Sequence, residues 1–376
     1  MITRLMLALL YSAAAGFAAG DDVAAWVSSQ GGKTVIDGAS RIVGIDLSYT
    51  WIGDADLDRV SRLKDLRSLD LSFVRVTDRG LERLRSLTNI ERMNLHSAEQ
   101  ITDFALTYLR DWKKLRWLDL EGTDITDIGL EIVSGFANLE SLNISVTQAT
   151  DNGIELLTAL SRLKELKIGG NVMSAGPLMA LRVLPNLVSL DLGGYQRRNS
   201  GVWQVSFTDL DLELFSSFDR LQELNLRGRK VTDLGMAHLA RMKALRSLDL
   251  GETAVTNGGL EQLASLPDLQ KLGLAGLKGV DDRAIPYLAR MKRLERLDLG
   301  GTSITDAGLR KLAAESAARQ LFVGGTKVSK EGAEAARKEH PQIQISWFEA
   351  VRPRARPEAK QSPKKAPDEQ NEQNQQ

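Results

Sequence analysis

A chain of 376 residues, 43% of them hydrophobic, has enough apolar side chains to bury a long continuous core. Its 49 lysines and arginines balance its 49 aspartates and glutamates, so no overall field draws it to nucleic acid or to an anionic membrane. It has no cysteine, which excludes disulfides, a catalytic thiol and a lipid-modified cysteine. We therefore expect no nucleic-acid partner, and any electrostatic preference for a partner must be local.

Residues 1–20 have the order of features found in a secretory signal peptide. Arg4 precedes an apolar run from Leu5, and the stretch ends in small residues. The run is too short and too rich in alanine for a stable membrane span, so we expect cleavage near Ala18 to Gly20. An uncleaved anchor is the alternative. Together with the missing disulfides, this segment predicts a bacterial protein that is periplasmic or secreted.

Residues 21–41 predict an N-terminal cap. An acidic start, apolar residues at helical spacing and a closing glycine pair indicate a short helix. Val35 and Ile36 then predict a first strand. Such a cap covers the exposed end of a stacked core, and we expect Trp26 and Trp51 to fill that core.

One unit is copied along residues 42–348. In the unit that begins at Leu115, Leu118 and Leu120 follow with the alternation of a short strand. Thr126 and Asp127 then predict the cap and the first-turn acid of a helix. Units start 24 or 25 residues apart, except for one longer step after Leu187. The twelve starting points are Ile42, Leu66, Ile90, Leu115, Leu139, Leu163, Leu187, Leu221, Leu245, Leu269, Leu294 and Ala318.

This period and the L-x-x-L-x-L spacing resemble the leucine-rich repeat family. The tract after the strand looks most like the I-T-D-x-G-L subtype of F-box leucine-rich repeat proteins and bacterial exported repeat proteins. It is VTDRGL at 76–81, ITDIGL at 125–130, VTDLGM at 231–236 and ITDAGL at 304–309. The resemblance implies an α/β solenoid shaped as a horseshoe, with a parallel sheet on the concave side and helices on the convex side.

The chain departs from the family where the strand ends, because the usual Asn or Cys is mostly Thr. A Thr hydroxyl can still bond backbone groups that the turn would otherwise leave unpaired. The positions are Thr50, Thr123, Thr147, Thr253, Thr302 and Thr326, with Asn only at Asn171.

Repetition also creates columns of polar residues, where a column is the set of residues at the same position in successive repeats. A column on the outward side of the strands holds Asp46, Asp70, Asp119, Asp191, Asp249 and Asp298, with Asn94, Asn143 and Asn225. We expect these side chains to bond neighbouring strands, and binding of a basic partner or a hard cation is the alternative. A second column, expected to stabilise helix starts, holds Asp54, Asp78, Asp103, Asp127, Asp151, Asp209, Asp233, Asp282 and Asp306.

A third column holds glycine, which is costly near a helix start and therefore predicts close approach between stacked units. Its members are Gly80, Gly129, Gly153, Gly235, Gly259, Gly308 and Gly332.

The longer step after Leu187 is the strongest functional feature, because repetition does not explain it. About ten extra residues precede Phe207 and form an insertion at 193–206. Loops that follow successive strands lie side by side and form a rim of the solenoid. We call the part near residues 193–206 the insertion rim and expect cations and aromatics to meet there and to bind a partner. The predicted contact residues are Trp117 and Lys167 on the concave face, Tyr195, Arg197, Arg198 and Trp203 in the insertion, and Arg227, Arg229 and Lys230 in the next unit. A tolerated surface insertion is the alternative.

The remaining segments carry no recognisable chemistry. Residues 349–376 are rich in Pro, Gln, Lys and Glu and predict a disordered tail. His96, His238 and His340 lie in separate units without metal-ligand spacing, and no catalytic motif is present. We therefore expect no cofactor, no metal and no enzymatic activity.

These features predict a monomeric, exported binding protein for a macromolecular partner, with an anionic protein surface seated on the insertion rim. The alternative is a substrate-recognition subunit of ubiquitin-ligase type, which the I-T-D-x-G-L resemblance implies. Against it stand the signal peptide and the absence of an F-box-like module before Ile42.

Overall fold

The computed structural model describes residues 19–198 and 201–349, with side chains from residue 22 onward except that of Arg198. Residues 1–18 of the predicted signal peptide and the predicted tail beyond Glu349 lie outside the described residues, and the last two residues of that peptide begin the first helix. Within the described part of the chain, no helix combines the length and the apolar character needed to cross a bilayer.

The strands are short and recur once per repeat. They are Lys33–Ile36 (β1), Ile42–Asp46 (β2), Ser68–Asp70 (β3), Arg92–Asn94 (β4), Trp117–Asp119 (β5), Ser141–Asn143 (β6), Glu165–Lys167 (β7), Met173–Ser174 (β8), Ser189–Asp191 (β9), Gln196–Arg198 (β10), Gly201–Trp203 (β11), Val205–Ser206 (β12), Glu223–Asn225 (β13), Ser247–Asp249 (β14), Lys271–Gly273 (β15), Arg296–Asp298 (β16), Gln320–Phe322 (β17) and Gln344–Ser346 (β18).

Helices alternate with these strands. They are Ala19–Ser29 (α1), Leu57–Val60 (α2), Asp78–Arg83 (α3), Asp103–Tyr108 (α4), Asp127–Val133 (α5), Asp151–Leu156 (α6), Ala175–Leu178 (α7), Asp209–Phe215 (α8), Met236–Leu239 (α9), Asn257–Leu263 (α10), Ile285–Leu288 (α11), Asp306–Glu315 (α12) and Lys330–Glu339 (α13). Single 3-10 turns cover Asp54–Asp56, Leu157–Ala159, Met179–Val183, Asp233–Gly235 and Asp282–Ala284.

The main sheet of the described residues has 14 strands in the order β1-β2-β3-β4-β5-β6-β7-β9-β13-β14-β15-β16-β17-β18. Every pair from β2 onward is parallel and in register, so that Leu118 of β5 faces Leu142 of β6. Within this sheet, β1 alone is antiparallel to its neighbour, β2. The predicted α/β leucine-rich repeat solenoid is therefore confirmed, and its sheet is parallel except at the first strand.

The inward leucines of the strands form one continuous core. Leu69, Leu118 and Leu142 are all essentially inaccessible to solvent, as are the helix leucines that follow them. Removing so much apolar surface from water is the main stabilising contribution to the solenoid.

The Thr column closes each strand end as predicted. Thr123 donates its hydroxyl to the Leu120 carbonyl at 2.6 Å, and Thr302 repeats the bond to Leu299 at 2.7 Å. Asn171 reaches further, because its amide donates to Ile144 O while its oxygen accepts the backbone N–H of Thr147. The Leu120 and Leu299 carbonyls also accept the backbone N–H of the same threonines, at 3.2 and 3.1 Å, so the hydroxyl bonds pair the buried threonine side chains and reinforce the turns.

The helix-start aspartates join neighbouring repeats. Asp127 stands in the first turn of α5, as predicted, and its two carboxylate oxygens accept the backbone N–H and the hydroxyl of Thr150 in the next repeat, at 2.8 and 2.6 Å. The same paired bond links Asp54 to Thr77, Asp78 to Thr102, Asp103 to Thr126, Asp151 to Ser174, Asp209 to Thr232, Asp233 to Thr256, Asp282 to Thr305 and Asp306 to Ser329.

The glycine column is explained by the same carboxylates. A Cβ atom on Gly129 would lie 2.4 Å from Oδ1 of Asp103, and one on Gly308 would lie 2.0 Å from Oδ1 of Asp282. Close approach between stacked units is confirmed, and the approaching group is the aspartate of the preceding repeat.

Candidate functional site

The concave Asp and Asn column is largely occupied by bonds within the protein. Asp119 Oδ1 accepts the backbone N–H of Glu121, and Asp119 Oδ2 accepts the amide of Asn143 from the next strand at 3.0 Å. Asn94 donates in the same way to Asp70 at 2.8 Å. The expectation that this column bonds neighbouring strands is confirmed.

Two members of this column are perturbed by their surroundings. Burial raises the pKa of Asp119 and of Asp191, although backbone N–H groups and the amides of Asn143 and Asn225 partly oppose that shift. These carboxyls are shielded groups of the sheet and offer little surface to a protein partner.

The insertion folds into a small antiparallel hairpin. Strand β10 pairs with β11 so that Gln196 faces Trp203, and β12 pairs in parallel with β8. Gln196 Nε2 donates to the carbonyls of Gly170 at 2.7 Å and Thr147 at 3.2 Å. The hairpin is therefore fastened across the loops of the two preceding repeats.

Arg229 fastens the insertion from the other side. It occupies a position that is Thr in many repeats, is only 2% exposed, and donates to the carbonyls of Gly194 and Val205. Burial lowers the pKa of its guanidinium. Its predicted role as a contact residue is wrong, because the side chain is inside the protein and supports the rim from below.

The other predicted contact residues have different environments. Tyr195 is 52% exposed, and Lys167, Arg197 and Lys230 are also exposed. Arg227 donates to Glu252 of the following repeat at 2.7 Å, so its charge is paired. Trp203 is partly buried, and the side chain of Arg198 lies outside the description.

Trp117 lies in a shallow cleft of the concave face. The guanidinium carbon of Arg92 is 4.5 Å from the ring centroid, an arrangement in which the cation is attracted by the ring face. Glu140 beside it bonds both Arg116 and Lys164. The hydrogen bonds from Lys164 and Arg116 hold the pKa of Glu140 below its usual range.

A second surface was missed by sequence reasoning. We call it the aromatic stripe and define it as Tyr49, Trp51, Phe73 and His96. The rings of Tyr49 and Phe73 stack with centroids 4.4 Å apart, and His96 lies 4.8 Å beyond Phe73. Trp51 is 83% exposed, so the expectation that it fills the core is wrong, whereas Trp26 does pack against the core.

The backbone of the aromatic stripe is unusual. Tyr49 and Phe73 have φ angles of 58° and 57°, in the left-handed region that disfavours bulky residues. Most later repeats place glycine at this position, at Gly122, Gly170, Gly194, Gly228, Gly276, Gly301 and Gly325, and Ser97, Val146 and Glu252 also adopt a positive φ there. Aligning the repeats in columns would have revealed these aromatics as departures. Strained backbone of this kind tends to persist where it serves a function.

Comparison with known proteins supports the fold. The leucine-rich repeat family matches residues 292–313. No curated protein sequence matches the chain. An internalin from Listeria monocytogenes is similar in structure, with a TM-score of 0.55 and 18% identity, over 88% of this chain and 89% of that one.

A chain of the mouse RP105/MD-1 complex is also similar, with a TM-score of 0.50 and 18% identity. That match covers 75% of this chain and 46% of the mouse chain. At such identities the likeness concerns the fold. The chain is an α/β leucine-rich repeat solenoid.

Proposed function

We propose that the protein is an exported, non-enzymatic module that binds another protein through its concave face and the insertion rim. The observation that carries the proposal is the way in which the insertion is held. Gln196 fixes it to the two preceding repeats and the buried Arg229 fixes it to the following one. A loop that is ordered before binding loses little entropy when a partner arrives, which favours affinity.

The exposed side chains of the rim indicate the character of the partner. Lys167, Arg197 and Lys230 are cations exposed to solvent, and Tyr195, two residues before Arg197, offers an exposed aromatic ring. Aromatic and cationic residues dominate binding hot spots, and opposite charges orient the approach of a partner. We infer a protein partner that presents an anionic surface and binds a monomeric solenoid.

Export is part of the proposal because Arg4, the apolar run and the small residues that follow have the order of a signal peptide. We expect the mature chain to begin near Asp21 and to lie in the periplasm or outside a bacterial cell. The intact mass of the protein from the exported fraction tests this, and full-length protein in the cytoplasm would contradict it. That result would favour the ubiquitin-ligase alternative, which rests on the I-T-D-x-G-L resemblance alone.

The binding experiment uses the whole mature chain as bait in the exported fraction, followed by affinity measurement with the captured protein. Tyr195→Ala and Arg197→Ala should each weaken binding by about 2 kcal/mol if they are hot spots, and the Arg effect should shrink in high salt. The control is Lys327→Ala, since Lys327 is an exposed cation that occupies the position of Lys230 in a repeat far from the insertion. Loss of binding in Trp117→Ala, with the rim variants unaffected, would move the site to the concave cleft.

A further inference from the structure

Three side chains that can ligate a metal ion converge beyond the ends of β4 and β5. They are His96, Asp119 and Glu121, whose ligand atoms all lie within 4.8 Å of one another. His96 Nδ1 is 3.4 Å from Glu121 Oε2 and 4.0 Å from Asp119 Oδ1. The side chains are 29%, 33% and 13% exposed, in the order His96, Glu121 and Asp119. An ion can therefore reach them from solvent, and the site is partly shielded.

The stacking of repeats brings these residues together. Asp119 ends β5, and Glu121 lies two residues further along the chain. His96 occupies the position of Glu121 in the preceding repeat, so the two side chains lie on adjacent loops. Most other repeats have Ser, Gly or Ala at this position: Ser48, Ser72, Ser145, Gly169, Gly193, Gly251, Ala275, Gly300 and Gly324. Repetition therefore does not explain the presence of His96 and Glu121.

Neighbouring side chains orient the three groups. The Asn143 amide donates to Asp119 Oδ2 at 3.0 Å and to Glu121 Oε2 at 2.8 Å, while its oxygen accepts the backbone N–H of Ser145. Phe73 packs against the His96 ring with centroids 4.8 Å apart. Outer contacts of this kind fix the direction of metal ligands and usually matter for affinity.

We propose that His96, Asp119 and Glu121 form a binding site for one divalent transition-metal ion, with zinc as the probe. One imidazole and two carboxylates are ligands that zinc accepts at about 2.0–2.2 Å. In a tetrahedron with such bonds the ligand atoms are about 3.4 Å apart. This matches the His96–Glu121 separation, whereas Asp119 must move closer to His96 than its present 4.0 Å. The imidazole disfavours calcium, which takes six to eight oxygen ligands. Three protein ligands leave the fourth position open.

The test is calorimetric titration of zinc into the whole mature chain after treatment with a chelator. One site per chain is expected, with a dissociation constant in the micromolar range or tighter. His96→Ala and Glu121→Gln should each weaken binding at least about ten-fold, because each removes one of only three ligands. Cobalt should bind to the same site, and its visible absorption should report a low coordination number.

Two variants control for non-specific binding. His340→Ala removes a histidine in a distant repeat, and Glu99→Gln removes an exposed acid close to His96, so both should bind zinc as the wild type does. Thermal midpoints without metal show whether each variant is folded. If His96→Ala is unfolded, Glu121→Gln carries the test alone. The proposal is overturned if zinc does not saturate a site below about 100 µM, or if both ligand variants bind it unchanged. Neither result bears on the binding of a protein partner.

Discussion

The two edges of the solenoid differ in how strictly they repeat. At the helix starts, the same aspartate bonds the same threonine or serine of the next repeat nine times among the described residues. At the strand ends, the residues facing solvent change from repeat to repeat, from Tyr49 and Phe73 to Gly301. The first edge is constrained by stacking, whereas the second is free to specialise.

The insertion shows what happens when the strict edge is interrupted. Between the repeats of Ser174 and Thr208 the paired bond is replaced, because Ala175 stands where the aspartate would be. Thr208 instead bonds Asp211 of its own helix, and β12 pairs with β8. The repeat that carries the insertion at its strand end therefore also lacks the usual aspartate bond at its helix start.

The largest expected effect comes from breaking one link of the strict edge. Asp127→Ala removes the acceptor of two hydrogen bonds from Thr150 and should lower the free energy of unfolding by about 2 kcal/mol. Denaturant unfolding measures the loss. The control Asp124→Ala affects an exposed carboxylate that bonds only Gln148 and should change stability by less than about 0.5 kcal/mol. Equal effects would mean that the inter-repeat bonds are unimportant.

A smaller loss of stability is expected when the glycine that faces the helix-start aspartate is replaced by alanine. Gly129→Ala places a methyl group against Oδ1 of Asp103 and Ile125, and should destabilise the protein by about 1–2 kcal/mol despite the better helix propensity of Ala. Gly38→Ala is the control, because a Cβ there meets no atom within 4 Å. Ala105 occupies the equivalent position in its own repeat beside intact Asp78–Thr102 bonds, so small shifts can admit a methyl group and the loss of stability should not exceed this range. A stabilising Gly129→Ala would refute the close-contact explanation.

At the variable edge, the backbone strain of the aromatic stripe predicts an unusual ranking. Tyr49→Gly should be more stable than Tyr49→Ala by about 1 kcal/mol, because glycine accepts the left-handed φ at this position while neither variant keeps the ring. Thermal and denaturant unfolding of the pair measure the difference. The reverse order would show that Tyr49 is not strained.

The smallest effect concerns the pH dependence of stability. Burial raises the pKa of Asp191 above its unfolded value, so its ionisation costs stability above that pKa and the cost disappears as the pH falls through it. Compared with Asp191→Asn, the wild type should therefore gain stability on going from about pH 7 to about pH 4, by on the order of 1 kcal/mol or less.

Asp37 gives the comparison of opposite sign. The backbone N–H and the guanidinium of Arg41 lower the pKa of Asp37 to about 2, so its contribution is present above the unfolded pKa and is lost as the pH falls toward 2. As the pH falls from about 7 to about 2, the stability of the wild type should therefore rise relative to Asp191→Asn and fall relative to Asp37→Asn. Parallel curves would contradict both assignments.

Local patterns predicted the fold well because the residues that determine the structure of each repeat lie within that repeat or the next one. The alternating leucines, the capping threonines and the recurrent glycines are each explained by contacts within a repeat or with the next one. The sequence also contained a readable clue at Arg229, which stands in a column of mostly buried threonines. This column predicts a buried side chain at Arg229, as the structure shows.

The remaining features depend on partners one repeat away. Interaction with the helix dipole already explains an acidic residue at position 127, so the local pattern does not predict the bonds from Asp127 to Thr150 of the next repeat. His96 and its two neighbouring carboxylates are separated by 23 and 25 positions, which no local metal-ligand spacing includes. Only stacking brings such residues together, and a sequence search for ligands should therefore follow columns as well as local spacing.

The bonds of Arg229 also affect how the number of repeats in such a chain can change by duplication or deletion. Wherever repeats meet through an identical aspartate and threonine, a duplicated or deleted unit finds a matching neighbour, and the array can change length by recombination. Arg229 instead donates to Gly194, 35 positions earlier, across the insertion. A crossover between these two units would separate the guanidinium from its carbonyls and leave a buried charge without partners, so we expect this pair of repeats to pass through duplication only as one block.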